Sequence, residues 1–244
     1  MKHIIVTISA FNEARNLVSV LEAISRLKIE GYKIRTVVVD DGSKDDTADL
    51  ARRHGCITVR HDVNLGQGYA VLTGFKMALM LCGPDDIVIE MDGDGQHLPE
   101  EIPLFVEKLE NGDADIVVGS RILGDTHQNS PFFRRKFLPL YTDLINRLTG
   151  YRLTDSMCGF RAFSAASLMK VDPILNDMLE PQYLAAEMFL RFSRAGLRTS
   201  EVPVRLKDRE WGVSSKGLVR YGLGVLKAII KTKFDRNYHR MEIQ

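Results

Sequence analysis

Two hydrophobic periods take turns along this chain. Short apolar runs rich in β-branched residues, Ile4 to Ile8, Thr36 to Asp40, Ile57 to Arg60, Ile87 to Met91 and Ile116 to Gly119, predict buried strands. Between them the spacing stretches to that of a helix. Leu17, Leu21, Ile24 and Leu27 predict a helix from Asn12 to about Leu27, and further helices are expected over Asp45 to His54, Tyr69 to Leu81 and Pro99 to Glu110. Strand and helix in alternation predict βαβ units: an α/β fold with a mostly parallel sheet and helices on both faces. There is no internal repeat, low-complexity tract or Pro/Gly/Ser-rich linker, so the expectation is one domain over 1–217 and a C-terminal extension over 218–244.

Open parallel sheets bind ligands beyond the carboxyl ends of their strands. The run Ile87 to Met91 ends in Asp92-Gly93-Asp94-Gly95-Gln96-His97. In extended backbone, residues i and i+2 share a side, so Asp92 and Asp94 can aim two carboxylates at one point. That pair suits a hard divalent cation, which keeps substrate phosphates as its other ligands. Gly93 leaves room for a close approach, and Gln96 or His97 could add a neutral ligand or a hydrogen bond. The same residues also read as a plain acidic turn. A second acidic strand end, Asp40-Asp41, favours the ligand reading, because carboxylates there can accept hydrogen bonds from a ribose hydroxyl or a nucleobase N–H. Asn12 reads as a helix cap with Glu13 in the first turn, and Asp45, Asp46 and Thr47 read as capping and turn residues. Asn64-Leu65-Gly66-Gln67-Gly68-Tyr69-Ala70 is a glycine-bearing turn without full dinucleotide-binding spacing, and there is no Walker sequence.

Net charge narrows the partners. At +1, no global field draws the chain to nucleic acid. Cys56, Cys82 and Cys158 are odd in number and form no CxxC pair, so neither a zinc site nor a disulfide framework is indicated, and a reducing, cytoplasmic setting fits. The stretch before the first strand is too brief for a signal peptide, and no run of roughly 18 apolar residues is present to span a bilayer.

In order, Ala10-Phe11-Asn12-Glu13, Val39-Asp40-Asp41-Gly42-Ser43, Asn64-x-Gly66-x-Gly68-x-Ala70, Asp92-Gly93-Asp94-Gly95-Gln96-His97-Leu98-Pro99-Glu100 and Gly119-Ser120-Arg121 resemble a family 2 glycosyltransferase of the GT-A fold. The polyprenyl-phosphate sugar transferases of the dolichyl-phosphate mannosyltransferase type are the nearest group. Asp155-Ser156-Met157-Cys158-Gly159-Phe160-Arg161 resembles their Asp-x-x-Ser-Gly-Phe-Arg segment, with Cys158 for serine. The stretch from Val202-Pro203-Val204 through Arg209-Glu210-Trp211-Gly212-Val213-Ser214-Ser215-Lys216 resembles their last motif, with one extra residue before the lysine. Leu98 replaces a proline, and Ser9 and Phe11 replace the proline and tyrosine of the usual opening. The resemblance covers about residues 3 to 217. The Gln-x-x-Arg-Trp motif of processive polysaccharide synthases is absent.

The resemblance implies a nucleoside diphosphate sugar donor. Phe11, Glu13 and Asp41 would hold base and ribose, with Asp40 beside them and Ala10, Val39 and Gly93 in the same binding motifs. Asp92, Asp94 and Gln96 would hold Mg²⁺ or Mn²⁺, and transfer would invert the anomeric carbon by one in-line displacement. A sugar hydroxyl acceptor needs a carboxylate base, whereas a polyprenyl phosphate is already anionic and needs cations instead. Arg121, Arg134 (or Arg135) and Arg209 stand at the family's positions for that, and with Asp94 they form the expected catalytic set. The alternative is a soluble or glycan hydroxyl acceptor with Asp155 or Glu187 as base. A reading from another class is a nucleotide-sugar binding or scaffold protein.

Beyond residue 216 the pattern turns amphipathic. Lys216, Arg220, Lys227 and Lys231 share one helical face, and Leu218, Val225, Leu226, Ile229 and Ile230 lie largely on the other. Such a helix can lie at a membrane surface or pack on the sheet with its charges in water. The segment from Ser130 to Leu148, apolar with Arg134, Arg135 and Lys136, is a second candidate for either role. The expected partners are thus a membrane surface or a membrane-anchored subunit, and the expected location is peripheral, at the cytoplasmic face of a membrane.

Overall fold

Four of the expected strands lie side by side in the computed structural model, which describes residues 1–125, 132–207, 218–235 and 238, without the side chains of 132–136 and 218–221. They are β1 (Lys2–Ala10), β2 (Tyr32–Asp40), β3 (Ile57–Arg60) and β4 (Ile87–Asp92), all parallel. β5 (Ile116–Ser120), β6 (Arg161–Ser164) and β7 (Thr199–Pro203) complete a seven-stranded sheet of order β3-β2-β1-β4-β6-β5-β7. Ile4, Ile5, Val6 and Ile8 of β1 are all fully buried, the mark of a central strand covered on both faces.

The helices that cover it are α1 (Ala14–Arg26), α2 (Thr47–Arg53), α3 (Gln67–Leu81) and α4 (Ile102–Glu110), the last entered through a 3₁₀ turn at Pro99–Glu101. α1 buries Leu17, Val20, Leu21 and Ile24 on one stripe. Asn12 does not cap it. Asn12 adopts the left-handed conformation, φ 55°, and ties two loops together: its amide donates to Ser43 Oγ at 2.8 Å and its Oδ1 accepts from Lys44 N at 2.8 Å.

Beyond β5 come α5 (Phe132–Thr149), α6 (Ala165–Lys170), α7 (Asp172–Asn176), a 3₁₀ turn at Pro181–Tyr183, α8 (Leu184–Arg194) and α9 (Leu218–Phe234). β6 is antiparallel to both its neighbours, β4 and β5. The chain therefore enters β6 from the edge of the sheet where β4 and β5 end, and Asp155–Phe160 passes over those ends. β1 connects onward to β2 on one side and pairs with β4 on the other, so the switch point of the sheet lies between β1 and β4.

α9 departs in part from the two-faced pattern expected of it. Val225, Ala228, Ile229 and Thr232 are buried, while Leu223, Leu226, Ile230 and Phe234 are exposed. Lys227 and Lys231 both pair with Glu180. No helix of the described residues is long and apolar enough to cross a membrane.

Candidate active site

The strand ends at the switch point are in register: Ser9 of β1 faces Asp92 of β4, and Ala10 faces Asp40 of β2. Asp92 Oδ1 accepts from Gln67 Nε2 at 2.6 Å and from Ser9 Oγ at 3.2 Å. Gly93 follows with its amide on Ser9 O at 2.9 Å. A Cβ on Gly93 would stand 3.1 Å from that of Ala10, tight enough to demand movement. On the far side, a Cβ on Gly159 would stand 3.3 Å from Asp92 Oδ2, so the segment leading into β6 lies against this carboxylate.

The turn after Asp92 is fixed from two directions. Asp94 Oδ1 accepts from Gln96 N at 3.1 Å. Gln96 Nε2 donates to Lys207 O at 3.2 Å, and Lys207 N donates to Gln96 O at 3.0 Å. His97 is buried and stacked on Phe160, ring centroids 5.1 Å apart, and its Nδ1 accepts from the Asp92 amide at 3.1 Å. Burial lowers its pKa below the ordinary histidine value, against the pull of Asp92, which suits a ring nitrogen that must accept.

Asp40 and Asp41 stand at the expected strand end, and both are buried. Asp40 accepts from Ser43 N at 3.0 Å and pairs with Arg60 at 3.2 Å. Asp41 accepts from Leu65 N at 2.9 Å, Gly66 N at 2.8 Å and His61 Nδ1 at 2.8 Å. The acidic pair thus holds the turn over 61–66 in place, and that turn delivers Gln67 to Asp92. Glu13 is also buried and accepts from Asn16 Nδ2 at 2.6 Å. Phe11 and Leu65, on the loops after β1 and β3, and Tyr69, in the first turn of α3, are exposed apolar groups at the same edge of the sheet. Val39 is core.

Arg121 follows β5 and reaches Asp155 through two bonds, Nε to Oδ2 at 2.6 Å and Nη2 to Oδ1 at 2.8 Å. Burial opposes its charge, but this forked pairing outweighs that and raises its pKa above the arginine norm. Asp155 also accepts from Arg121 N and Met157 N, and its own amide donates to Glu201 Oε1 at 2.9 Å. Glu187, on α8, is fully buried and accepts from Leu179 N, Glu180 N and Arg191 Nε. Beneath Asp92, Glu90 pairs with Arg161 at 3.1 Å; burial pushes the Glu90 carboxyl up to about 7, Arg161 opposing and Asp92 adding to the shift.

Asp92, Gly93, Asp94 and Gln96 therefore share one turn, beside Ala10, Asp40 and Asp41. Arg121 stands beyond Gly159. Arg134 lies in α5 with its side chain outside the described residues, and Arg209 lies outside them altogether. Among the described residues no group of three or more His, Cys, Asp or Glu gathers as a metal site. Two carboxylates on one turn, with a glutamine two residues on, are a partial set of hard oxygen donors. They fit a cation whose remaining ligands come from a diphosphate and water, as magnesium-type sites are built. Sequence reasoning missed Gln67, His61, Ser9 and Glu201, whose roles arise from contacts far apart in the chain.

The description Glycosyl transferase family 2 fits residues 5–172. The chain is 33% identical to undecaprenyl-phosphate mannosyltransferase of Micrococcus luteus, over 88% of this chain and 89% of that protein. It is 28% identical to UDP-N-acetylglucosamine–dolichyl-phosphate N-acetylglucosaminyltransferase of Methanococcus voltae, over 96% of this chain and 98% of that one. In fold it is similar to glucosyl-3-phosphoglycerate synthase of Mycobacterium tuberculosis, solved with Mn²⁺, UDP-glucose and phosphoglyceric acid, with TM-score 0.61 and 19% identity over 94% of this chain and 79% of that one. With its GT-A sheet, its acidic turn at the β1–β4 switch point and a family match over most of its length, this chain belongs to glycosyltransferase family 2 and is a glycosyltransferase.

Proposed function

We propose that this enzyme transfers a sugar, with inversion, from a nucleoside diphosphate sugar to a polyprenyl phosphate. The observation that carries the acceptor assignment is the state of the two carboxylates a hydroxyl acceptor would have to use. Asp155 is fully buried and engaged by Arg121, and Glu187 is fully buried and engaged by Arg191 and two backbone amides. Neither is poised to take a proton from a substrate. A phosphate acceptor needs no base, because its oxygen is already anionic. The names of the Micrococcus and Methanococcus relatives support the same acceptor class.

In this reading Asp92 and Asp94, with Gln96 beside them, would hold Mg²⁺ or Mn²⁺, which would supply charge neutralisation to a diphosphate leaving group. Phe11, with Leu65 and Tyr69 exposed nearby in the fold, offers apolar surface for the base. Asp40 and Asp41 shape the donor crevice through the turn they hold. Arg209 and Arg134 are the cations offered to the acceptor phosphate, with Arg121, held by Asp155, as the third member of the set. The catalytic domain occupies 1–217, and the extension over 218–244 serves docking at the cytoplasmic face of a membrane or on a membrane-anchored partner.

The test is a steady-state assay with a short-chain polyprenyl phosphate and its unphosphorylated alcohol, varied against donor at fixed Mn²⁺. The phosphate should be used and the alcohol should not. Arg209→Lys, which keeps charge and loses the planar fork, should lower transfer by about tenfold or more, since a charge-assisted hydrogen bond contributes roughly 1.5–3 kcal/mol and 1.4 kcal/mol is tenfold in rate. Asp94→Asn should abolish transfer while leaving the fold intact. Equal use of the alcohol, or a silent Arg209→Lys, returns the assignment to a hydroxyl acceptor.

A further inference from the structure

The turn over 65–68 touches a segment more than a hundred residues away. A Cβ on Gly68 would lie 1.5 Å from Pro181 O, so the two backbones are in direct contact. A Cβ on Gly66 would lie 2.5 Å from Gln182 Nε2, and that same nitrogen donates to Leu65 O at 3.4 Å. Only glycine admits the backbone approach at Gly68, and Gly66, at φ +102°, needs glycine's conformational freedom.

The other side of Pro181–Tyr183 is pressed by α9. A Cβ on Gly224 would lie 1.8 Å from Tyr183 Cζ and 2.0 Å from its Oη, so the ring lies flush on the helix backbone. Glu180, just before the segment, pairs with Lys227 at 3.2 Å and with Lys231. The root of the segment is clamped as well. Glu187 holds the amides of Leu179 and Glu180, Arg191 holds Glu187, and Arg191 Nη2 bonds Asp235 just past α9 at 2.9 Å.

We infer that Pro181–Tyr183 is a strut through which α9 positions the glycine turn, with Gln182 and Tyr183 as positioning residues for the donor side of the site. The turn has two outputs: Leu65 N and Gly66 N hold Asp41, and Gln67 holds Asp92. The C-terminal helix therefore acts on the donor crevice and not only on whatever it docks against. The consequence for donor binding rests on the function proposed above; the mechanical link does not.

Amide hydrogen exchange tests the link without any ligand. Gly224→Ala drives a methyl group into Tyr183, Tyr183→Ala removes the ring, and Glu180→Gln weakens the tie to α9 without adding bulk. Each should raise the exchange rates of the Leu65 and Gly66 amides, by about tenfold for the first two, while the Val6 and Val88 amides in β1 and β4 keep wild-type rates. Wild-type exchange at Leu65 and Gly66 in Tyr183→Ala and Glu180→Gln overturns the strut, and these two variants decide the matter if Gly224→Ala does not fold. Titration with Mn²⁺ and UDP then reads the donor link, with weaker binding expected in Tyr183→Ala than in wild type. Equal affinity overturns that link. A wild-type protein that ignores Mn²⁺ and UDP counts against the proposed donor and leaves the strut supported by exchange alone.

Discussion

His97 shows how one uncharged ring can hold an acidic turn in shape. Its Nδ1 accepts the Asp92 amide, and an imidazolium cannot accept. Burial lowers its pKa below 6.5, so the unfolded chain takes up a proton that the folded chain refuses. Stability linked to His97 is then fully present above about pH 6.5 and is lost as pH falls below it. Urea midpoints measured from about pH 7.5 down to 5 should decline, and His97→Gln should flatten that slope. Any acid limb in the rate profile should move with the same variant, which would separate it from a catalytic base. At this scale the sequence exposed Asp92 and Asp94, because a strand pattern running into Asp-Gly-Asp announces itself locally. It also exposed Asp40 and Asp41, but not what they hold. Apart from Ser43, the partners of their side chains, Arg60, His61, Leu65 and Gly66, come from beyond the next helix, and no local pattern records that contact.

Elements followed the same division. Up to Ser120 each strand and helix carries its own period, and the expected and observed spans agree within a few residues. Beyond it, β6 and β7 are as short as β3 and β5 but lack their run of β-branched apolar residues, so no strand pattern marks them. α8 breaks the apolar-face rule outright, because Glu187 and Arg191 are fully buried on it. Their ion pair, 2.8 Å, binds α8 to the loop before it and to the end of α9. Glu187→Ala leaves the Arg191 charge without its nearest counter-ion and should cost about 3–5 kcal/mol, read as a lower urea midpoint with an unchanged slope. α9 was anticipated as a basic helix with one apolar side. Instead it divides its apolar residues, Val225 and Ile229 going inward and Leu226 and Ile230 outward, while Lys227 and Lys231 turn to Glu180.

The whole molecule consequently presents an outward apolar row, Leu223, Leu226, Ile230 and Phe234, on the helix that the strut joins to the site. If this row is the docking face of the proposed lipid-linked reaction, Leu226→Ser with Ile230→Ser should reduce co-sedimentation with anionic phospholipid vesicles by about tenfold or more, since full burial of an apolar side chain contributes roughly 1.5–3 kcal/mol and each of these has only about half of its surface left to bury. The melting temperature should stay near wild type, since both positions are already half in water; undiminished co-sedimentation would remove this row from the docking surface.

The reversed strand β6 sets a timetable. β1 to β4 pair with one another within the first 92 residues, apart from the outer edge of β4. β5 pairs only with β6 and β7, and β6 is also what closes that edge of β4. As the chain leaves the ribosome, the β1–β4 half can assemble while β5 waits some forty residues for its first neighbour, counted from Ser120 to Arg161. During that interval β4 exposes an unpaired edge, the kind that recruits foreign strands. The nascent enzyme is most vulnerable to misassembly after β4 is made and before β6, beginning at Arg161, arrives to pair with its open edge.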